Sequence, residues 1–359
     1  MIKIFHVVGA RPNFMKVSPI WAAFDSIAKY EQVLIHTGQH YDLNMSDIFF
    51  KELQIPSPKI NFGVGSSSHA KQIAKIMVKL ENELNMHKPD IVLVYGDVNS
   101  TIAAALVCSK LMIPIAHVEA GLRSFDRTMP EEINRILTDQ ISDFLFTPSK
   151  DANINLVSEG INNNKIHLVG NVMIDTLVKM LPKVTFPNIE GLTSEYLLLT
   201  LHRPSNVDEP QVLKNIISTM KEISNNIQIL FSVHPRTRKI LQDYSIIFSN
   251  ENNIKLLNPL GYLDFLGLMK NSLLVVTDSG GIQEETTFLN IPCLTLRENT
   301  ERPITVELGT NQLIGFDMDL LKNKINEIMK GKINDGNIPE LWDGEASNRI
   351  VKVISAYFK

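Results

Sequence analysis

Cysteine is scarce, with two in 359 residues. Cys108 lies in the apolar run AAALVCSKL and Cys293 in IPCLTL, and neither has a Cys or His neighbour at zinc-finger spacing. A disulfide framework is excluded, no metal site is expected, and both thiols read as small buried hydrophobes. No segment approaches the ~18 consecutive apolar residues of a spanning helix, so no membrane association is expected. Charge of one sign is also missing. Lys+Arg 35 against Asp+Glu 39 leaves a net charge of -4, which argues against a dedicated nucleic-acid binder. The N-terminal MIKIFHVVGARP has no basic segment and only a short apolar run. It reads as a first core strand of a cytoplasmic protein and not as a secretory leader. Neither the GxGxxG dinucleotide fingerprint nor a GxxxxGK[ST] phosphate loop occurs, which argues against a tightly bound NAD.

What remains is ordinary globular composition, 44% hydrophobic and 21% charged, at a length that suggests about two domains. Short β-branched runs alternate with helical patterns. Strands are predicted at 2–8, 32–36, 90–95, 114–118, 143–147 and 166–169. A second series follows at 196–201, 227–233, 254–258, 273–277, 292–296 and 312–315. Helices are predicted at 66–87, 209–224, 317–330 and 345–358, the first carrying Ile73, Ile76, Met77 and Leu80 at helical spacing. This is the pattern of βαβ units in two doubly wound α/β domains with parallel sheets. The proline-bearing stretch 182–195 suits a linker. The expected division is 1–181, completed by the helix at 345–359, and 182–344.

In open parallel sheets, ligands bind beyond the carboxyl ends of the strands. Those ends here read GARPNF, TGQH, GDVNST, EAGLRS, LHRP, VHPRTR, TDSGG and LRENTERP. Such a density of Arg, His and acids exceeds what caps and turns need, and it points to a polar ligand. The sharpest motif is Asp278-Ser279-Gly280-Gly281, running from strand to helix. Its glycines let backbone N–H groups approach an anion at a helix N-terminus, which suits a diphosphate. Arg11 sits at a similar strand-to-helix turn, with Pro12 as the expected first helical residue. Lys16 follows one turn later and reads equally as a solvated helix residue. Asp97 reads either as a site carboxylate or as a cap for a helix beginning near Ser100. Glu119 follows a buried strand beside His117 and Arg123, where a cap is less obvious. Pro130-Glu131-Glu132 reads locally as a helix first turn, with acids at the positive pole. His36 and His40 are four apart but form no helical metal pair. His202 and His234 each close a strand, as turn chemistry or as a functional imidazole.

Taken in order, GARPNFMK (9–16), GQHYD (38–42), GDVNST (96–101), HVEAGLRS (117–124), PEEINR (130–135), GN with DTL (170–177), HRPSNVD (202–208), HP (234–235), TDSGGIQEE (277–285) and RENTERP (297–303) resemble the non-hydrolysing UDP-N-acetylglucosamine 2-epimerases. Each motif alone is weak; their order and spacing over nearly the whole chain are specific. The resemblance implies a GT-B-like fold of two Rossmann-like domains, an active site in the interdomain cleft, a homodimer and no cofactor. It implies elimination of UDP to 2-acetamidoglucal followed by re-addition. Asp97, Glu119 and Glu131 become catalytic carboxylates, assisted by Arg135 and His202. Arg11, His202, Ser279, Gly280 and Arg302 would hold the diphosphate, Glu285 the ribose, and Tyr262 and Phe265 the uracil. Lys16 and Gly281 complete the substrate-binding set. A hydrolysing epimerase shares most of these motifs. A GT-B glycosyltransferase or a non-catalytic nucleotide-sugar sensor would leave the three acids unexplained. Many bacterial relatives carry a basic or amide-bearing residue after the Gln-His of the second strand and hold an activating substrate there. Tyr41 and Asp42 stand at that place, so little cooperativity is expected. The departure also resembles the branch acting on 2,3-diacetamido uronic acids.

Overall fold

A computed structural model describes residues 1–39, 50–246, 248, 253–332 and 335–359. The expectations placed on His40, Tyr41 and Asp42 lie outside the described residues. The chain divides into two compact units, Met1–Met180 with Glu340–Lys359, and Leu181–Pro339. Among the described residues no helix is long and apolar enough to cross a membrane.

The first unit is built on seven strands. In chain order these are β1 (Ile2–Val8), β2 (Tyr30–His36), β3 (Ile60–Asn61), β4 (Ile91–Tyr95), β5 (Ile115–Val118), β6 (Phe144–Thr147) and β7 (Ile166–Leu168). They lie in the order β3-β2-β1-β4-β5-β6-β7, every pairing parallel. The strand IVLVY of β4 is buried throughout, as expected of a central strand covered on both faces. Val92 and Val94 pack with Ile76, Leu80 and Leu84 of the helix His69–His87 on one face. The two-residue β3 carries no alternation that a sequence pattern could show; its pairing to Ile35 and His36 creates it. The final helix, Ala346–Tyr357, belongs to this unit, and the Asp175 carboxylate accepts the N–H groups of Ala346 and Ser347 at 3.1 and 2.7 Å. Asp175 thus supplies the acceptor that the helix start lacks internally.

The second unit repeats the plan with β8 (Tyr196–Thr200), β9 (Gln228–Ser232), β10 (Ile254–Leu257), β11 (Leu274–Thr277), β12 (Cys293–Thr295) and β13 (Asn311–Leu313). The order is β10-β9-β8-β11-β12-β13, again all parallel. Leu213, Ile216, Ile217 and Met220 of the helix Pro210–Ile223 cover Leu197, Leu199 and Phe231. Each such side chain contributes about 1.5–3 kcal/mol when fully buried.

Both sheets reverse their winding at one place, between β1 and β4 in the first and between β8 and β11 in the second. A crevice opens at the strand ends there, because the connections leave in opposite directions. The segments flanking these two points are Gly9–Arg11 with Gly96–Asp97, and His202–Arg203 with Asp278–Gly280. Each crevice is stitched by an asparagine. Asn13 Oδ1 accepts from the N–H groups of Gly9 and Ala10 while its Nδ2 donates to the Tyr95 carbonyl at 2.9 Å. Asn206 Nδ2 donates to Asp278 Oδ2 and to the Leu296 carbonyl, both at 3.0 Å.

Candidate active site

At the reversal point of the first sheet, Asp97 follows β4 and Glu119 follows the adjacent β5. The helix Asn99–Leu111 is capped by the backbone of Val98 and not by Asp97, so the capping alternative falls away. The Asp97 carboxylate instead meets the Arg135 guanidinium in an ion pair. Glu119 pairs with Lys16, and both side chains are buried. Lys16 is therefore not a solvated helix residue. Burying an ammonium is tolerable only with such a partner. Asp97 keeps 29% of its side chain exposed, against 5% for Glu119, so Asp97 is the more accessible acid.

Backbone geometry explains the tight meeting. Glu119 adopts φ 74, a left-handed conformation uncommon outside glycine. In that conformation its own N–H and that of Ala120 both point at the Phe146 carbonyl, at 3.1 and 3.0 Å. Gly96 has φ 60, and a Cβ there would lie 2.7 Å from Lys16 Nζ and 3.3 Å from Glu119 Oε2. Only glycine lets the β4 turn lie against this ion pair.

Arg135 is buried and doubly held. Its Nε and Nη2 donate to Glu132 Oε2 at 2.9 and 2.6 Å. Glu132 also accepts the N–H groups of Ser124 at 3.0 Å and Phe125 at 2.9 Å. Burial alone would push the Glu132 carboxyl up, but the Ser124 N–H and Arg135 hold it below the usual carboxylate range. Glu131 sits half-buried beside it in the first turn of the helix Pro130–Ile141. Of the two adjacent acids, Glu132 organises the turn while Glu131 is left toward the surface. The sequence does not distinguish them, because the choice depends on which faces the 124–125 loop. Arg11 is the first residue of the helix Arg11–Asp25, so Pro12 is its second and not its first.

The second unit presents a different surface. The helix Gly280–Leu289 starts directly after Ser279, and Ser279 gives it no side-chain cap. The Ser279 N–H is taken by Thr277 Oγ1 at 3.0 Å, so the N–H donors for an anion come from the glycines that follow. A Cβ at Gly280 would run into Arg302 Nη1 and lie 2.7 Å from Glu301 Oε1. Arg302 thus lines the turn. It donates from Nη1 to Glu301 Oε1 at 2.5 Å and meets Glu284 through Nε at 2.9 Å. Glu301 is also met by Arg297 at 2.7 Å and Arg203 at 3.5 Å. Burial opposes its charge, but Arg302, Arg297 and Arg203 hold its carboxyl well below the usual range. The guanidinium groups of Arg203, Arg297 and Arg302 thus gather on the one Glu301 carboxylate.

Asp278 serves the fold. Its carboxylate accepts the His202 N–H at 3.0 Å and the Arg203 N–H at 2.9 Å, and meets His202 Nδ1 at 2.9 Å. Burial would raise its pKa, but the His202 ring and the Asn206 amide, with the Arg203 N–H, keep it low. The exposed His202 ring is thereby oriented at the strand end. His234 is turn chemistry: it is the N-cap of the helix Pro235–Asp243 and accepts from the Arg236 N–H. Tyr262 and Glu285 are already joined, the hydroxyl donating to Glu285 Oε1 at 2.8 Å. Burial and then the charge of Glu284 push the Glu285 carboxyl up to about 7, against the pull of the Tyr262 hydroxyl. Phe265 lies half-buried one turn after Tyr262. Gly281 is the second residue of the glycine turn. The sequence pattern does not mark Lys16 as an ion-pair partner, nor Glu132, Arg203, Arg297 and Glu301 as organising groups. Their only sequence signal is membership of the GARPNFMK, PEEINR, HRPSN and RENTERP strings.

Residues 22–355 match the family model described as UDP-N-acetylglucosamine 2-epimerase. The UDP-N-acetylglucosamine 2-epimerase of Methanocaldococcus jannaschii is 46% identical, over 99% of this chain and 99% of that one. A crystal structure of the enzyme from that organism, in complex with UDP-GlcNAc and UDP, superposes with TM-score 0.91 at 44% identity, covering 99% of this chain and 100% of that one. The UDP-2,3-diacetamido-2,3-dideoxy-D-glucuronate 2-epimerase of Pseudomonas aeruginosa is 40% identical over 99% of both chains. A lipopolysaccharide outer core galactosyltransferase, at 14% identity and TM-score 0.57 over 99% of this chain and 100% of that one, shares the fold alone.

Proposed function

The chain belongs to the UDP-N-acetylglucosamine 2-epimerase family, and from that premise we propose that it inverts C2 of a UDP-2-acetamido sugar without net hydrolysis. The C2–H bond is not α to a carbonyl, so direct deprotonation is unfavourable. Breaking C1–O first sends the bonding pair to the diphosphate and leaves an oxocarbenium-like sugar. Loss of the C2 proton then forms the C1–C2 double bond of 2-acetamidoglucal. Re-addition of UDP with a proton delivered to the opposite face of C2 gives the manno epimer. Carboxylates stabilise the cationic sugar and move the proton. Positive groups stabilise the departing diphosphate.

The first unit supplies the sugar chemistry through Asp97, Glu119 and Glu131, with Arg135 and Lys16 fixing the first two. The second supplies the nucleotide grip: Gly280 and Gly281 at the helix start with Ser279, Arg302 and His202 for the diphosphate, Glu285 for the ribose, Tyr262 and Phe265 for the base. Arg11 adds a further cation at the start of the first helix. The observation that carries this reading is that the expected acids gather at one sheet edge. Asp97 and Glu119 end adjacent strands, and Glu131 opens the helix whose Arg135 grips Asp97. The protein is proposed to work in the cytoplasm as a homodimer, the latter as the family resemblance implies; analytical ultracentrifugation tests the dimer.

The test is incubation with UDP-N-acetylglucosamine in D₂O. Deuterium entering C2 with appearance of UDP-N-acetylmannosamine supports the reading, and absence of exchange refutes it. Phosphorus NMR separates the outcomes for UDP: a steady pool marks the non-hydrolysing reaction, accumulation with turnover marks hydrolysis. The identity to the Pseudomonas enzyme favours a second substrate arm, UDP-2,3-diacetamido-2,3-dideoxy-glucuronate, run in parallel.

A further inference from the structure

A buried charged cluster lies beneath the Glu119 turn. Asp139, on the helix Pro130–Ile141, is 1% exposed, and His117 and Arg123 around it are also buried. Asp139 Oδ1 meets His117 Nδ1 at 2.6 Å. Its Oδ2 meets Arg123 Nη1 at 2.7 Å and accepts the Gly121 N–H at 3.1 Å. The second ring nitrogen of His117, Nε2, donates to the Gly96 carbonyl at 2.8 Å. Arg123 is satisfied further by Glu159, its Nε and Nη2 each donating at 2.7 Å. Removing this many charges from water is costly, and well-packed apolar side chains would stabilise the unit as well or better. The cluster is therefore poorly explained by stability alone.

Its connectivity suggests another role. One carboxylate holds His117 and Gly121, the residues two before and two after Glu119, and so brackets the left-handed residue from both sides. Through His117 it also holds the carbonyl of the peptide that leads into Asp97. Two acids that follow different strands are thus referred to a single buried anchor on a third element.

We propose that Asp139 is a positioning residue of the reaction, fixing Glu119 by bracketing its turn and fixing Asp97 by way of His117 and the Gly96 carbonyl. This rests on the assignment of Glu119 and Asp97 to the sugar chemistry. That assignment is tested separately by exchange at C2 in the unaltered protein, so the two can fail independently. Displacing reacting groups by about 1 Å costs on the order of 10²-fold in rate.

The test compares the full-length protein with Asp139→Asn, His117→Asn, His117→Gln and the double variant Asp139→Asn with His117→Asn. Circular dichroism establishes folding, and C2 deuterium exchange in UDP-N-acetylglucosamine gives kcat and KM. Asp139→Asn and His117→Asn should each lower kcat about 10²-fold, with KM and calorimetric UDP affinity unchanged. His117→Gln can still donate to the Gly96 carbonyl and should recover part of the rate. The double variant should be no slower than the worse single, since the Asp139–His117 connection is already cut in each. Should Asp139→Asn fail to fold, the two His117 variants decide, because they leave the Asp139–Arg123 pair and the Gly121 contact intact. A folded His117→Asn with unaltered kcat, equal rates in the Asn and Gln variants, or KM rising in step with the fall in kcat overturns the proposal.

Discussion

Replacing Gly280 with alanine tests the nucleotide grip at one atom. The backbone at Gly280 is helical and has no positive φ, so alanine is tolerated conformationally. The obstacle is space. The new Cβ would overlap Arg302 Nη1 and approach Glu301 Oε1 to 2.7 Å. Glu301 must shift by a few tenths of an ångström against Arg297 and Arg203, which meet it at 2.7 and 3.5 Å. The guanidinium end of Arg302 must move as well, giving up its 2.5 Å bond to Glu301. A charged hydrogen bond is worth about 1.5–3 kcal/mol. The loss of stability is about 1.5–3 kcal/mol, and a domain holding about 5–15 kcal/mol stays folded. On the proposed reading, the same displacement would take a cation from the diphosphate, and the methyl group would block approach to the N–H groups of the turn. One lost charge-assisted contact of about 1.5–3 kcal/mol corresponds to roughly 10- to 150-fold weaker binding. Gly280→Val, bulkier still, should abolish it. Isothermal titration calorimetry with UDP measures the affinity and circular dichroism the fold. Unchanged affinity in a folded Gly280→Ala protein would remove both the glycine turn and Arg302 from the nucleotide site.

Amide substitution of Asp97, Glu119 or Glu131 should slow epimerisation at least about 10²-fold, the low end for lost acid–base catalysis, while UDP affinity changes far less. Near-normal turnover in all three would redirect the assignment to His202 and Arg135. If Glu285 holds the ribose as proposed, UDP binding should tighten as pH rises through about 7, where burial has placed its carboxyl, because ribose hydroxyls would donate to the ionised form. Glu285→Gln should flatten that profile in calorimetry. The folding linkage runs the other way. The folded pKa lies above the ordinary 4.5, so Glu285's stabilising contribution is full below about 4.5 and lost by about 7. Lys16→Met leaves Glu119 as a buried carboxylate without its cation and should cost about 3–5 kcal/mol in urea denaturation. Combining it with Glu119→Gln should restore part of that; no restoration would show that the pair contributes nothing. Initial rates against UDP-N-acetylglucosamine should be close to hyperbolic, given Asp42; a Hill coefficient near 2 lost on mutation at Gln39 would show a second substrate site.

The alternation of β-branched runs with helical patterns was sufficient to find strands within a residue or two of β1, β4 and β8, because central parallel strands must be apolar on both faces and their composition shows it. The glycine turn at 280 and the helix opened by Pro130 were legible for a similar reason. Their chemistry is local, set by φ, by capping and by the helix dipole. The strand order was not legible, since any buried parallel strand can pair with any other. Yet that order puts the reversal points where Asp97 and Gly280 stand.

Ion-pair partners lie beyond local reach for the same physical reason. Whether an acid caps a helix, pairs with a cation or faces a ligand depends on what a distant segment brings to it. Asp97 and Arg135 are 38 residues apart in sequence, and Asp139 and His117 are 22 apart. The string Pro130-Glu131-Glu132 by itself determines a helix start with two acids near its positive end. Only the 124–125 loop, folded back onto that turn, decided that Glu132 is buried against Arg135 and that Glu131 is left toward the surface. Sequence determined which residue types stand at the strand ends; burial and long-range charge pairing decided which of them are scaffold and which remain available for chemistry.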